Sequence, residues 1–357
     1  MNIYKQPWKL IQNRVRGQGG REIDKLRGIS PPTDDDHGSE AWIGSVTRAH
    51  NATDENPVGC SEVVLPDGRR MYLYEAIQLD PEAILGKKHF NLHGTGLGML
   101  VKYLDAKSQY GLQSHPTREW AKKMWNSDFG KEESWYVIGT RDDSSEPAYV
   151  LLGFKENVSR ADMEKHFYDY DLSALEKLCH KIPVQIGDTF FVGGGVPHAL
   201  GEGCFVIELQ EPSDITVAPV PYGRMPGANE LSESEYNERM LGTFLYDGCD
   251  YEENLKRNRI PVKMIRDGDW GSEYYIIGPD QTSFFSFTRA DVDGTQNIRD
   301  TGFPQVAIVL EGEGEILYEG GALRVKRGDE LFLPYQIPKA AMSGKMSIVF
   351  CHPEGAQ

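Results

Sequence analysis

Four side chains that can bind a divalent metal are spread over three short segments. Gln113 and His115 are two residues apart in a stretch that reads as extended, so both side chains leave one face of the sheet. Glu133 precedes the next strand, and His198 ends a later one. Imidazole nitrogens with carboxylate and amide oxygens suit a mid-first-row divalent ion. Each residue alone would more often be a hydrogen-bonded structural side chain, but the combination predicts one metal site.

The segment that ends in His198 reads GDTFFVGGGVPH and spans residues 187–198. A turn dipeptide is followed by the β-rich run Thr189–Val192, by three glycines and by Pro197. This order places a single histidine after a strand and the tight turn that follows it. The spacing resembles the second motif of the cupin barrels, with Gly193 in place of a proline. The alternative is a buried histidine beside an ordinary β-turn.

One internal repeat is visible near the end of the chain. Residues 328–339 read GDELFLPYQIPK and superimpose on residues 187–198. Pro338 corresponds to Pro197, and Lys339 stands where His198 does. Two copies of a barrel motif, only one of which carries the histidine, predict tandem barrels with a single metal site. Chance similarity between two strand-and-turn segments is the alternative.

The periodicity along the chain predicts a mainly β fold. Short strands with turns recur, and the glycines of EGEGE at residues 311–315 are interpreted as a hairpin. Residues 157–181 switch to helical periodicity, with Ser159 as an N-cap. We therefore expect tandem cupin (double-stranded β-helix) barrels with a helical insertion. The predicted domains are 1–250, a catalytic cupin domain, and 251–357, a cupin-like domain without metal ligands.

Composition narrows the range of partners. The 357 residues carry a formal net charge of -16, which disfavours nucleic acid and anionic membranes as partners. No apolar run is long enough to cross a bilayer, and the polar start does not resemble a signal peptide. The five cysteines are scattered and never form CxxC, which is typical of reduced thiols. We expect a cytoplasmic protein, and the sequence does not indicate its oligomeric state.

Four motifs in order resemble the type I mannose-6-phosphate isomerases of the cupin superfamily. They read LVKYLDAKSQYGLQSHP, GKEESWYVI, GDTFFVGGGVPHALGEG and IELQEPSDITV, and the resemblance covers about residues 38–224. It implies a zinc enzyme of carbohydrate metabolism that interconverts mannose 6-phosphate and fructose 6-phosphate through a cis-enediol.

The resemblance also implies roles for single residues. The family's zinc ligands correspond to Gln113, His115, Glu133 and His198, and its active-site lysine corresponds to Lys131. Lys102 matches a lysine on the strand that leads towards the site, and is interpreted as substrate-binding. Arg224 matches a family arginine and is assigned a catalytic role.

Two departures bear on the substrate. Ala218 stands where the family has an arginine five residues after a serine, and Gly111 replaces a serine associated with phosphate binding. Both changes weaken the sugar-phosphate interpretation and leave the metal site intact. Three hypotheses follow: an isomerase of mannose 6-phosphate, a related zinc cupin isomerase of another or unphosphorylated sugar, and a sugar-binding cupin without turnover. Retention of Lys131 beside the ligands argues against the third.

Overall fold

Strands dominate the computed structural model, which describes residues 3–30, 32, 35–36, 38–220, 231–337 and 339–356. Strands account for 37% of the structure and helices for 19%, so the predicted mainly β class is confirmed. The tandem-barrel arrangement stays a prediction. The strands are β1 Trp8–Leu10, β2 Arg14–Arg16, β3 Glu40–Ile43, β4 Glu62–Val64, β5 Arg70–Tyr72, β6 Leu100–Asp105, β7 Glu133–Thr140, β8 Tyr149–Phe154, β9 Cys179–Pro183, β10 Thr189–Val192, β11 His198–Leu200, β12 Cys204–Gln210, β13 Lys263–Gly268, β14 Gly271–Ile277, β15 Phe285–Asn297, β16 Gln305–Tyr318, β17 Gly321–Lys326, β18 Glu330–Leu333 and β19 Ala341–Pro353.

Short helices occupy several of the connections between strands. They are α1 Arg21–Leu26, α2 Leu73–Gln78, α3 Pro81–Leu85, α4 Lys87–His93, α5 Arg118–Trp125, α6 Arg160–Phe167, α7 Leu172–Glu176, α8 Glu233–Leu241 and α9 Tyr251–Asn258, with a 3-10 turn at Ile3–Lys5. Within the described residues, no helix is long and apolar enough to cross a membrane. All five cysteines are free thiols.

By packing, the chain forms two compact units, each made of separate segments. The first unit contains Met1–Asp105, Ile207–Pro212 and Pro261–Gln357, and the second contains Ala106–Val206 and Ser213–Ile260. The predicted cupin domains, 1–250 and 251–357, stay a prediction.

The first unit is built on an antiparallel sheet with the order β13-β14-β15-β19-β16-β18-β1-β4-β5, with β17 paired to β16. The long strands β15, β16 and β19 enclose an apolar core because residues on one face alternate with polar ones on the other. Val309, Ile316, Met342 and Ile348 are among its buried members. Strands β2, β3 and β6 form a second set of pairs in this unit.

The predicted hairpin at residues 311–315 is wrong. These residues lie inside the continuous strand β16, and the turn follows Tyr318 instead. The strand shifts register against β19 between Val309 and Glu311, which is the signature of a β-bulge. Gly312 has a φ of 72°, and a Cβ there would lie 2.1 Å from the carbonyl oxygen of Lys345. The glycine therefore permits a close strand approach rather than a chain reversal.

The second unit contains the helical insertion and the strand that leads to His198. Helices α6 and α7 lie inside the predicted range 157–181, and Ser159 caps α6 with a capping box. Met163, Phe167 and Leu175 pack into a core with Leu151 and other residues of the unit. Strand β8 pairs with β9 and β11, and β10 pairs with β7.

The two copies of the predicted repeat have the same local structure. Gly187 and Gly328 both have positive φ, 96° and 85°, and each is followed after one aspartate by a four-residue strand, β10 or β18. Pro338 lies outside the described residues. The repeat is thus seen as a glycine turn and a strand in each unit.

Candidate metal centre

Backbone pairing brings three of the predicted ligands to one place in the second unit. Val192, at the end of β10, pairs with Glu133, at the start of β7. The chain then turns through residues 193–197 and reaches His198 at the start of β11. Gln113 and His198 exchange two backbone hydrogen bonds of 2.9 Å, so the segment that carries His115 lies beside β11.

The side chains of His115, Glu133 and His198, which we call the ligand cluster, meet in the interior of the unit. His115 Nε2 lies 3.2 Å from Glu133 Oε2, and His198 Nε2 lies 3.2 Å from Glu133 Oε1. One ligand atom from each residue falls within 4.8 Å of the others. All three residues are almost fully buried. Three donor atoms that converge at this separation fit a single metal ion.

Both histidines turn the same nitrogen towards the cluster. His115 Nδ1 donates to the carbonyl oxygen of Ile215 at 2.9 Å, and His198 Nδ1 donates to that of Val196 at 2.9 Å. A carbonyl only accepts, so the Nδ1 atoms carry the protons and the Nε2 lone pairs face the cluster. Burial lowers the pKa of His115 to about 3 and lowers the pKa of His198, which keeps both rings neutral. Neutral imidazoles are the form that binds metal.

Glu133 supplies a buried negative charge. Burial alone favours the neutral acid, but the nearby Lys131 ammonium holds the pKa of Glu133 well below its usual value. Neither carboxylate oxygen, nor His198 Nε2, has a well-aligned hydrogen bond among the described residues. Buried polar atoms are normally hydrogen-bonded, so these three orphaned atoms need another partner. A divalent cation would balance the carboxylate charge and can be bound by both oxygen and nitrogen atoms.

Lys131 lies against the ligand cluster. Its Nζ is 2.8 Å from His115 Nε2 and 3.4 Å from Glu133 Oε2, and the side chain is 4% exposed. Its backbone N–H donates to the carbonyl oxygen of Pro116 at 3.0 Å, which fixes Lys131 beside the His115 segment. The arrangement therefore holds a cation at the edge of the candidate metal position.

Gln113 lies next to the cluster in the sheet. Residues directly opposite each other in an antiparallel pair place their side chains on the same face, about 5 Å apart at Cβ. Because Gln113 is opposite His198, its amide is directed to the side of the sheet on which the cluster lies. Its role as a fourth ligand stays a prediction.

Glycines allow the segments of the site to approach closely. A Cβ on Gly194 would lie 2.9 Å from the Cα of Thr117, and one on Gly130 would lie 2.6 Å from the backbone nitrogen of Arg118. Thr117 is also the N-cap of α5, accepting from Trp120. The glycine-rich turn predicted from sequence is thus required for backbone packing around the ligands.

Two further residues, Lys102 and Arg224, were predicted to take part in the site. Lys102 is on β6 in the first unit, where Nζ lies 3.0 Å from Glu208 and 3.3 Å from Glu40 and over the ring of Trp42. Its predicted role in substrate binding stays a prediction. Arg224 lies outside the described residues, so its predicted catalytic role stays a prediction.

The backbone groups that orient the ligands could not be identified from the sequence. The carbonyl oxygens of Val196 and Ile215 accept from the two imidazoles, yet any residue type supplies a carbonyl. The only available signal was position: Val196 lies two residues before His198, and Ile215 follows the SD pair.

Comparisons with known proteins show which proteins this chain resembles. The cupin-domain family of the mannose-6-phosphate isomerases matches residues 279–353. The mannose-6-phosphate isomerase of Streptococcus mutans is 25% identical over 342 residues, which is 94% of each chain. The crystal structure of the mannose 6-phosphate isomerase from Bacillus subtilis superposes with a TM-score of 0.75 at 22% identity, covering 97% of this chain and 99% of that one.

A zinc-bound mannose 6-phosphate isomerase superposes with a TM-score of 0.70 at 16% identity, covering 98% of this chain and 99% of that one. At these identities the superpositions establish the fold. Together with the sequence matches, they confirm the resemblance to the type I mannose-6-phosphate isomerases of the cupin superfamily.

Proposed function

We propose that this chain, similar in sequence and fold to the type I mannose-6-phosphate isomerases, is a metal-dependent aldose–ketose isomerase that interconverts mannose 6-phosphate and fructose 6-phosphate. The observation that carries the proposal is the buried ligand cluster with the Lys131 ammonium 2.8 Å from one imidazole nitrogen. The names of the relatives in Streptococcus mutans and Bacillus subtilis support this activity.

Zinc is the metal that we propose for the site. Two imidazole nitrogens, one carboxylate and the amide oxygen of Gln113 make an N2O2 set, which zinc accepts. The zinc-bound structure of a similar fold supports this choice. When bound, the metal acts as a Lewis acid on the sugar's carbonyl and hydroxyl oxygens and stabilises negative charge there.

In the proposed reaction a proton leaves C2 of the aldose while the C1 carbonyl electrons move to O1, which takes up a proton. The resulting cis-enediol loses the proton of the C2 hydroxyl and gains one at C1, which gives the ketose. Lys131 places a positive charge beside the oxygens that become negative, in a site from which water is largely excluded. A preorganised donor of this kind contributes most where the local dielectric is low.

Lys102 remains the proposed substrate-binding residue. Its ammonium already pairs with the carboxylates of Glu40 and Glu208, and Arg16 also pairs with Glu40, so the charges of this group balance and the group carries no surplus positive charge for a phosphate. We therefore propose that Lys102 contacts sugar hydroxyl groups and that phosphate binding needs other cations, and we keep the proposed catalytic role of Arg224.

A related isomerase of an unphosphorylated sugar is the second candidate. The observation that favours it is the pair of substitutions at Gly111 and Ala218, which removes a hydroxyl and a guanidinium from positions that the family uses. A cytoplasmic location and the absence of nucleic-acid or membrane partners remain predictions.

A coupled assay with two substrates tests the proposal. The protein is supplied with mannose 6-phosphate or free mannose in D₂O, and ketose formation and deuterium at C1 are followed. Turnover of the phosphate ester with solvent deuterium in the product is the expected result. Turnover of mannose alone would instead favour the second candidate, an isomerase of an unphosphorylated sugar. Absence of turnover on both sugars, with metal bound, would leave a sugar-binding cupin.

A further inference from the structure

We propose that Ser213 is a positioning residue for the metal ligand His115. The inference rests on the proposed metal site and adds a residue that acts on it without contacting the metal. Ser213 lies in the second unit, is 6% exposed, and begins a short segment that packs beside His115. Through this segment it sets the direction of the carbonyl group that holds the His115 ring.

The first step is the turn at Ser213. The backbone N–H of Ile215 donates to Ser213 Oγ at 3.2 Å, which is an i to i+2 serine turn. This bond fixes the peptide units between residues 213 and 215. The carbonyl oxygen of Ile215 then accepts from His115 Nδ1 at 2.9 Å. The serine hydroxyl is therefore connected to the imidazole through a single residue.

The second step is the pairing of the neighbouring residues. Ser114 and Val217 exchange two backbone hydrogen bonds, of 2.8 and 2.9 Å. This pair holds the segment on the C-terminal side of Ile215, at the backbone groups of Val217. The serine turn holds it on the N-terminal side, at the Ile215 N–H, so the two together constrain the backbone that carries the Ile215 carbonyl.

The two histidines differ in how far along the chain the acceptor of the Nδ1 proton lies. His198 donates to Val196, which lies two residues earlier in its own turn, so its orientation is set locally. His115 depends on a segment about 100 residues away in the chain. If the Ile215 carbonyl moves, the Nδ1 proton loses its acceptor, and the ring is free to rotate or to change tautomer. Partners of this kind typically change metal affinity by about 10–100-fold.

The test compares Ser213→Ala, Ser213→Thr and the control Ser45→Ala. Ser45 is also buried, and its Oγ accepts from the backbone of Thr47 at 3.0 Å in the same type of turn, but it lies in the first unit. Each metal-free protein is prepared by chelation and titrated with Zn²⁺ against a chromophoric chelator. Visible spectra of the Co²⁺-substituted proteins report the ligand geometry.

We expect Ser213→Ala to bind Zn²⁺ about 10-fold more weakly and to shift the Co²⁺ bands, with Ser213→Thr restoring both because its hydroxyl accepts the same bond. Ser45→Ala should lose stability and keep both metal readouts. Unchanged affinity and spectrum in Ser213→Ala, or equal changes in Ser45→Ala, would overturn the positioning role while leaving the metal site intact. A wild-type protein that binds neither ion would contradict the proposed function as well.

Discussion

Replacement of His198 by alanine removes one of the three converging ligand atoms. The ring is fully buried, lies with its centroid 4.8 Å from that of His115, and packs edge-on against Trp135 at 5.4 Å. The substitution therefore also leaves a cavity, which destabilises the protein in the absence of metal by about 1–3 kcal/mol. The informative quantity is consequently the increase in stability that metal adds to each protein.

Linkage gives the size of this increment. A metal at a free concentration 100 times its dissociation constant stabilises the native state by about 2.7 kcal/mol. For a unit of this size that corresponds to a rise in Tm of roughly 5 °C or more. Loss of His198 should weaken binding by at least about 100-fold, because changes in residues that merely orient ligands already reach that value. The increment then falls to about 0.4 kcal/mol, or roughly 1 °C.

Thermal unfolding of the chelated and the zinc-loaded proteins measures the increment. His180→Ala is the matched control, because His180 is buried in the same unit and its Nε2 contacts the carbonyl oxygen of Cys249 at 2.9 Å, outside the ligand cluster. This control should lose stability and keep the full zinc increment. An increment of wild-type size in His198→Ala would refute the assignment of this residue as a ligand.

Three further predictions concern activity, packing and pH. Lys131→Met should lower kcat at least about 100-fold, because it removes the proposed active-site cation. Zinc binding should not weaken, because the lost charge is a cation beside the ligand Glu133. Weaker binding in a zinc competition titration would contradict this reasoning. Gly194→Ala should lower the free energy of unfolding in urea by about 1–3 kcal/mol, because the new Cβ would lie 2.9 Å from the Thr117 backbone. The control Gly111→Ala should be close to neutral, because there is open space around Gly111. Burial lowers the pKa of His352 to about 3, so the unfolded state binds more protons than the folded state between pH 6.5 and 3. His352 should therefore lower the free energy of unfolding by about 3 kcal/mol when the pH falls from 7 to 4. His352→Gln should flatten that pH dependence, and an unchanged slope would be evidence against this contribution.

The sequence predicted the parts of the site that depend on residue type. His115, Glu133 and His198 were grouped from residue type and spacing, and Lys131 was added because the family resemblance implies it; their roles as ligands and active-site lysine stay predictions. Glu133 was expected before a strand and His198 at the end of one, but each is the first residue of a strand, β7 and β11; the glycine turn that precedes His198 was predicted correctly. Helix capping by Ser159 was also predicted, because its side chain acts on its own neighbours in the chain.

What could not be predicted depends on contacts between distant segments. The acceptor for His115 is a backbone carbonyl 100 residues away, which leaves no mark in residue type. The glycines at 312 and 314 look like turn residues, yet they serve a bulge and a close strand approach that only the partner strand reveals. The ion pairs of Lys102 with Glu40 and Glu208 likewise join segments far apart in the chain.

Zinc titration of the metal-free protein during isomerisation of mannose 6-phosphate tests the central claim most directly. Activity should rise in proportion to added zinc and reach its plateau at one ion per chain. His115→Ala and His198→Ala, titrated in the same way, should recover almost none of it. Full activity in the metal-free wild-type protein, or recovery in either variant at the same zinc concentration, would contradict the assignment of the ligand cluster as the catalytic metal centre.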